Sequence, residues 1–310
     1  MNTPSAELLE QETIQKSKQE TKAALILVVT TILAGLGWIF SKQAIVELPP
    51  YAFIGIRFVI ASILLVPFCY RHFRQLTQKQ IINAASVGVI MSLVLLTWVS
   101  AISVTDTLAE GAFISSLSML FAPLVGWMIL KQKPMRIFWI SLPFAVLGLA
   151  FLSLSNGYQY SPSQIWFLIS AIMLAFHFNF NAKYAQSVPT LVLACIQLLV
   201  VGIIASGASL LLEEWPESVS NTTWTWAALS ILLSTSLRYV MQTFGQKLTS
   251  SSNAAIIMIL EPVWASGLSV MFYGDALTAG KVIGCSLILW SLFVYRGGAK
   301  LLERRQHRGL

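Results

Sequence analysis

Apolar residues recur along this chain in runs of about twenty, each closed by a short polar or charged stretch. At 1.5 Å per residue, such a run is long enough to cross roughly 30 Å of hydrocarbon as a helix. Ten runs are legible, at residues 23–42, 51–70, 80–103, 108–130, 135–154, 163–185, 190–212, 224–246, 252–273 and 279–298. The pattern predicts an all-α membrane protein with ten transmembrane helices and connections too short for an inserted soluble domain. It divides the chain into a polar tail (1–22), a first five-helix unit (23–154), a second (163–298) and a basic tail (299–310). The first tail mixes both charge signs and suits a surface helix or a disordered segment, without the features of a cleavable signal.

Composition strengthens this picture: 56% of residues are apolar and 11% charged, far from the quarter charged of soluble domains. A net charge of +7 would suggest nucleic acid in a soluble protein, but here it sorts by side of the membrane. With the N-terminus placed in the cytoplasm, sixteen of the twenty Lys and Arg residues fall on that side, and only Lys42 and Lys281 fall opposite. That bias orients a multi-pass protein with both termini cytoplasmic and makes nucleic acid an improbable partner. Cys69, Cys195 and Cys285 have no paired or metal-binding spacing, so no metal or cofactor is expected. No H-E-x-x-H, membrane-depth G-x-S-x-G or phosphate-binding G-x-x-x-x-G-K-[ST] motif occurs, which argues against an enzyme and against ATP-driven transport. A channel or receptor is a remote alternative, because neither a filter sequence nor a large exposed domain is legible.

The few polar residues inside the runs carry the chemistry. Glu261 stands directly before Pro262 in the middle of the ninth run. An intramembrane carboxylate normally faces a protein interior or a water-filled cavity, and the proline frees a carbonyl so that the helix can bend or unwind there. Pro50 and Pro189 open the second and seventh runs and are followed by Arg57 and Gln197; Pro123 and Pro262 sit inside the fourth and ninth. The offset of 139 residues in both proline pairs predicts one five-helix unit written twice. Since five is odd, the second copy is inverted, an arrangement in which two halves rock about a site near the membrane midplane.

The segment from Arg238 to Trp290 resembles the second half of the EamA family of the drug/metabolite transporter superfamily. The resemblance rests on Gln246, the small pair Ala254 and Ala255, Glu261-Pro262, Asp275 and Gly284, and in the first half on residues 35–42, Pro50 with Arg57, and residues 113–134. It implies ten helices in two inverted repeats, a cavity lined by the helices that carry Trp38, Trp98, Ser115, Ser116, Tyr239 and Gln242, and transport of a small metabolite. Asp275 stands where the family usually has Glu, Arg238 is not part of its pattern, and HFNFN at 177–181 is unusual.

Arg238 and Glu261 fall about 9 to 14 Å from the cytoplasmic side and could meet, while Arg57 falls about 10 Å from the opposite side. Arg238 is the candidate for solute recognition, since a guanidinium holds a carboxylate by parallel bonds. Glu261 with Pro262 is the candidate for coupling or gating. Arg57 and Gln197 read as structural, with Arg57 free to snorkel or to bond loop carbonyls. His177 and Asn181 share a helix face and are expected at the crevice. Two arginines against one glutamate favour an anionic or zwitterionic solute. The expected function is export of amino acids or similar small metabolites by alternating access, with protons as the candidate coupling ion. The alternative is uptake or exchange of a nucleoside-containing metabolite. A monomer or a homodimer in a bacterial cytoplasmic membrane is the expected state.

Overall fold

The computed structural model describes residues 4–104, 108–154, 163–274 and 278–308. Among these, all regular structure is helical. Seven uninterrupted helices come first: α1 (Pro4–Ala44), α2 (Pro50–Phe73), α3 (Gln78–Ser103), α4 (Leu108–Leu130), α5 (Arg136–Leu154), α6 (Ser163–Tyr184) and α7 (Thr190–Leu212). The eighth apolar run is α8 (Asn221–Ile231), a π segment (Leu232–Leu237) and α9 (Arg238–Lys247). The ninth is α10 (Ser251–Met258) followed by α11 (Glu261–Tyr273), and α12 (Ala279–Arg308) is the last described helix. Among the described residues, six segments are long and apolar enough to cross a membrane, and shorter apolar helices lie at Ile114–Leu130, Arg136–Phe151 and Ala279–Tyr295. Large side chains such as Phe68, Met128 and Leu211 point outward, as a lipid-facing surface requires.

Helix starts follow local chemistry. Thr77 and Gln80 form a reciprocal capping box at α3, and Ser220 and Ser250 accept backbone N–H bonds at the starts of α8 and α10. Pro50 occupies the first turn of α2, where its missing N–H costs nothing. Gly274 closes α11 in the left-handed region at φ 68°, a conformation that glycine adopts freely. The polar tail does not separate from the first run: residues 4–22 continue into α1 as one helix.

The break in the ninth run lies where the sequence places a joint. Pro262 cannot donate to the Met258 carbonyl, α10 ends there, and Leu260 N bonds back to Ile257 O at 3.0 Å in a tightened turn. Glu261 thereby becomes the first residue of a new helix. Pro123, at the matching place in the first half, leaves α4 unbroken.

The two halves exchange partners. α2 lies along α7 and α5 along α12; α3 packs on α6 as α8 packs on α1, and α4 packs on α6 as α10 and α11 pack on α1. A two-fold relation between halves produces this reciprocity. The α2–α7 crossing is close: a Cβ on Gly202 would meet the Val59 backbone nitrogen at 2.6 Å. One apolar cluster, centred on α2, α3 and α7, includes Phe53, Phe58 and Leu198. A second joins α4, α5, α10 and α12 around Phe138, Leu149 and Ile257.

One end of the bundle, here the upper end, holds residues 45–50 and 213–220. There the Glu213 carboxylate accepts from Tyr51 N and Ala52 N at 2.7 and 2.8 Å, and Glu47 accepts from Ser220 N at 2.7 Å. The lower end holds residues 74–77, 185–189 and 248–250 and is joined by carboxamides: Gln80 donates to Ser187 O at 2.6 Å and Gln186 to Lys247 O at 3.0 Å.

Candidate functional site

A cavity of about 110 Å³ lies between the two halves, with walls from α1, α2, α3, α4, α6, α9, α10 and α11. One wall is charged. The Arg238 guanidinium, at the first position after the π segment, approaches Glu261 with Nη2 3.5 Å from Oε2. The other carboxylate oxygen accepts from Trp38 Nε1 at 2.9 Å. The helix break puts this carboxylate in the first turn of α11, where the helix dipole favours negative charge. The two side chains of the ion pair are 19% and 21% exposed, so neither is sealed in packing and both face the cavity.

Aromatic side chains hold these groups in place. Trp38 meets Trp98 edge to face at 5.0 Å, and the Arg238 guanidinium lies 5.2 Å from the Tyr239 ring centre. Several polar atoms in the wall are buried without a hydrogen-bond partner among the described residues: Arg238 Nε, Gln242 Oε1, Ser115 Oγ and Ser118 Oγ. The wall therefore offers a donor, an acceptor and two hydroxyls beside an ion pair. Met91, Met119, Met258, Leu95 and Leu174 supply an apolar side.

Arg57 also reaches this cavity, although the sequence suggested that it would snorkel or bond loop carbonyls. It is 5% exposed and turned inward. Its Nε donates to Thr235 Oγ1, Nη1 to Ser41 Oγ at 3.0 Å, and Nη2 to Ser234 O at 3.1 Å and Ser234 Oγ at 3.3 Å. The reason is the π segment. Its looser winding and its hydroxyls, each bonded back to carbonyls of Ser230 or Ile231, leave the oxygen atoms of Ser234 and Thr235 in reach of a buried guanidinium. No salt bridge to Arg57 exists among the described residues.

Six of the residues singled out as solute contacts line one cavity: Arg238, Trp38, Tyr239, Gln242, Trp98 and Ser115, with Glu261 and Pro262 beside them. His177 and Asn181 do not line it. Both are buried, and they lie in a polar layer between α6, α7 and α9. His177 Nε2 pairs with Gln197 Oε1 at 3.1 Å, and Asn181 Nδ2 donates to Gln246 Oε1 and to Thr243 Oγ1 at 3.3 Å. Asn179, between them, turns to α4 and donates to Ala122 O at 2.7 Å. A shared helix face does not decide which neighbour that face meets, and here the neighbours are other amides. Asp275 lies outside the described residues. The methionines of the wall could not be singled out from sequence, since they stand among apolar residues in apolar runs. Among the described residues, no three His, Cys, Asp or Glu side chains gather as metal ligands.

The chain is similar to proteins of the same architecture over nearly its whole length. A solved crystal structure superposes with a TM-score of 0.76 over 92% of this chain and 99% of its own, at 17% identity, which is a likeness of fold. An uncharacterized transporter of Archaeoglobus fulgidus is 24% identical over 272 residues, 88% of this chain and 85% of the relative. The uncharacterized transporter YvbV of Bacillus subtilis is 26% identical over 289 residues, 89% of this chain and 92% of the relative. Residues 21–154 and 161–296 each match the EamA-like transporter family, one copy for each half of the reciprocally packed bundle, and the chain belongs to that family as a multi-pass membrane transporter.

Proposed function

We propose that this transporter exports amino acids or similar small zwitterionic metabolites by alternating access, with Arg238 holding the solute carboxylate and Glu261 its ammonium group. The observation that carries this reading is the Arg238–Glu261 pair, 3.5 Å apart and partly exposed in a cavity between the two halves. A solute with both charges can enter between the two side chains and replace their mutual contact with one to itself. Gln242 Oε1, Arg238 Nε and the Ser115 hydroxyl are available for further bonds. With Arg57 counted, the wall carries two cations against one carboxylate, which favours a solute that brings at least one negative group.

Glu261 is the candidate proton carrier. A carboxylate that must leave Arg238 when solute binds has a protonation equilibrium tied to occupancy, and that tie is what proton coupling needs. The proposed membrane topology is ten spans in two inverted repeats with both termini cytoplasmic, supported by the reciprocal packing of the halves and the one-sided distribution of Lys and Arg.

The test is a thermal-shift screen of purified protein with amino acids, nucleotides, nucleosides and organic cations, followed by flux into proteoliposomes. A ligand that binds only the folded protein raises the midpoint with its concentration. Amino acids are expected to shift the wild type and not Arg238→Ala, and Glu261→Gln is expected to remove the pH dependence of flux. A shift with nucleosides alone would replace the solute class, and unchanged pH dependence in Glu261→Gln would leave that residue a structural role.

A further inference from the structure

Below the cavity, the layer between α6, α7 and α9 holds side chains that the described site does not use. Asn181 on α6 meets Thr243 and Gln246 on α9, and one turn earlier on α6 His177 meets Gln197 on α7. All five are at most 1% exposed. Four of their polar atoms have no hydrogen-bond partner among the described residues: His177 Nδ1, Gln197 Nε2, Asn181 Oδ1 and Gln246 Nε2. Turning the amides over does not remedy this. The Asn181–Gln246 contact uses one polar atom of each carboxamide and the His177–Gln197 contact one polar atom of the ring and one of the carboxamide, so one polar atom of each side chain is left over whichever way it faces.

A permanent core rarely keeps such atoms, since an apolar pair of the same shape packs there without the desolvation cost. The layer is also continuous with two other features. Its upper edge is Gln242, one turn from Gln246 on α9 and part of the cavity wall, with its own Oε1 unpartnered. Its lower edge is the end of α9, where Gln186 donates to Lys247 O and Gln19 to Leu248 O at 3.3 Å. These lower contacts are single neutral bonds at exposed positions.

We infer that the layer formed by His177, Asn181, Gln197, Thr243 and Gln246 is the closed half of the solute path, a second polar station that opens when α6 and α9 part at the lower end. The inference rests on the transport reading above. In the open state the four atoms gain partners from water and from the solute in transit. The station carries amides, a hydroxyl and one imidazole, so it suits a small polar solute through its hydrogen-bonding groups, whereas the cavity above selects by charge.

The test is thiol accessibility in proteoliposomes. Asn181→Cys and Gln246→Cys are labelled with N-ethylmaleimide, and the native Cys69, Cys195 and Cys285 are resolved from them by peptide mass spectrometry. Ala194→Cys is the packed reference, because Ala194 is fully buried in the apolar cluster around α2 and α7. The expected result is labelling at 181 and 246 about tenfold faster than at 194, as a path that opens repeatedly requires. Equal, slow labelling at all three positions overturns the inference.

A second variant guards against loss of folding in the cysteine series. Asn181→Leu with Gln246→Met keeps volume and removes two of the four orphaned atoms, Asn181 Oδ1 and Gln246 Nε2. A static core would hold or raise its thermal midpoint and keep its flux. A closed path holds or raises the midpoint but loses flux of a radiolabelled amino-acid mixture by about tenfold, because a dry layer no longer rewets. Flux equal to wild type in that stable variant overturns the inference. Failure of the solute reading looks different: the wild type moves none of the amino acids, while the labelling contrast among 181, 246 and 194 is read without any solute.

Discussion

At the scale of the residue, burial separates two arginines that look alike in sequence. Arg57 and Arg238 both interrupt apolar runs, and both reach the cavity, but all three guanidinium nitrogens of Arg57 are bonded to neutral oxygens whereas Arg238 keeps Nε unpartnered beside a carboxylate. The first holds α1, α2 and the π segment together; the second is free to exchange its partner. Arg57→Met strands the Ser41, Ser234 and Thr235 acceptors and is expected to cost about 2 kcal/mol, read as a fall in the thermal midpoint in detergent. Arg57→Lys is expected to recover little of it, since an ammonium cannot reach three separated oxygens in one plane. A full recovery by lysine would mean that charge alone matters there. Glu261 was legible because a carboxylate in an apolar run is rare. Its bond from Trp38 was not, since the partners are 223 positions apart in the chain.

At the scale of the element, the starts of α2 and α7 were readable from Pro50 and Pro189, and the joint before Pro262 fell where the missing N–H requires it. The π segment was not readable. Its sequence, LLSTSL, is one that an α-helix also accommodates, its hydroxyls bonding back to the preceding turn; only the five-residue register, seen in Arg238 N on Leu233 O and in the Thr235 and Ser236 hydroxyls on Ser230 O and Ile231 O, distinguishes the two. Lys131, just beyond α4, adopts φ 54°, a left-handed conformation that a β-carbon disfavours. Lys131→Gly is expected to raise stability by about 1 kcal/mol, and an unchanged or lower midpoint would show that the lysine side chain makes compensating contacts. Glu47 caps the start of α8 from the loop after α1. Its carboxyl is held below the ordinary value of 4.5 by the backbone N–H and the side chain of Ser220, with Thr223 contributing. A depressed carboxyl stabilises the fold above that ordinary value and loses the effect as pH falls through the lowered one. Melting midpoints measured from pH 6 to pH 3 are therefore expected to fall less steeply in Glu47→Gln than in wild type; equal slopes would remove Glu47 from the acid response.

At the scale of the whole molecule, the doubled organisation could be read from prolines recurring 139 residues apart, and the exchange of partners between halves agrees with it. The apolar runs gave the helices, but the same uniform apolarity hid which faces turn inward, so the methionine wall and the partners of His177 and Asn181 needed three dimensions. The two copies also differ in one respect that sets the geometry of the site. Among the described residues only the second half carries a π segment, and its surplus residue acts as a phase shift. An uninterrupted helix advances about 100° per residue, so every side chain after Leu237 is turned by about that angle from where a regular helix would aim it. Arg238, Gln242, Thr243 and Gln246 all follow the shift. Deleting Ser236 alone would restore the regular winding and is expected to leave an inserted protein that behaves like Arg238→Ala in solute binding, with its cation present but aimed elsewhere. A single surplus residue thus works as a dial, setting the bearing of one helix's polar side chains toward the space they share with the rest of the bundle.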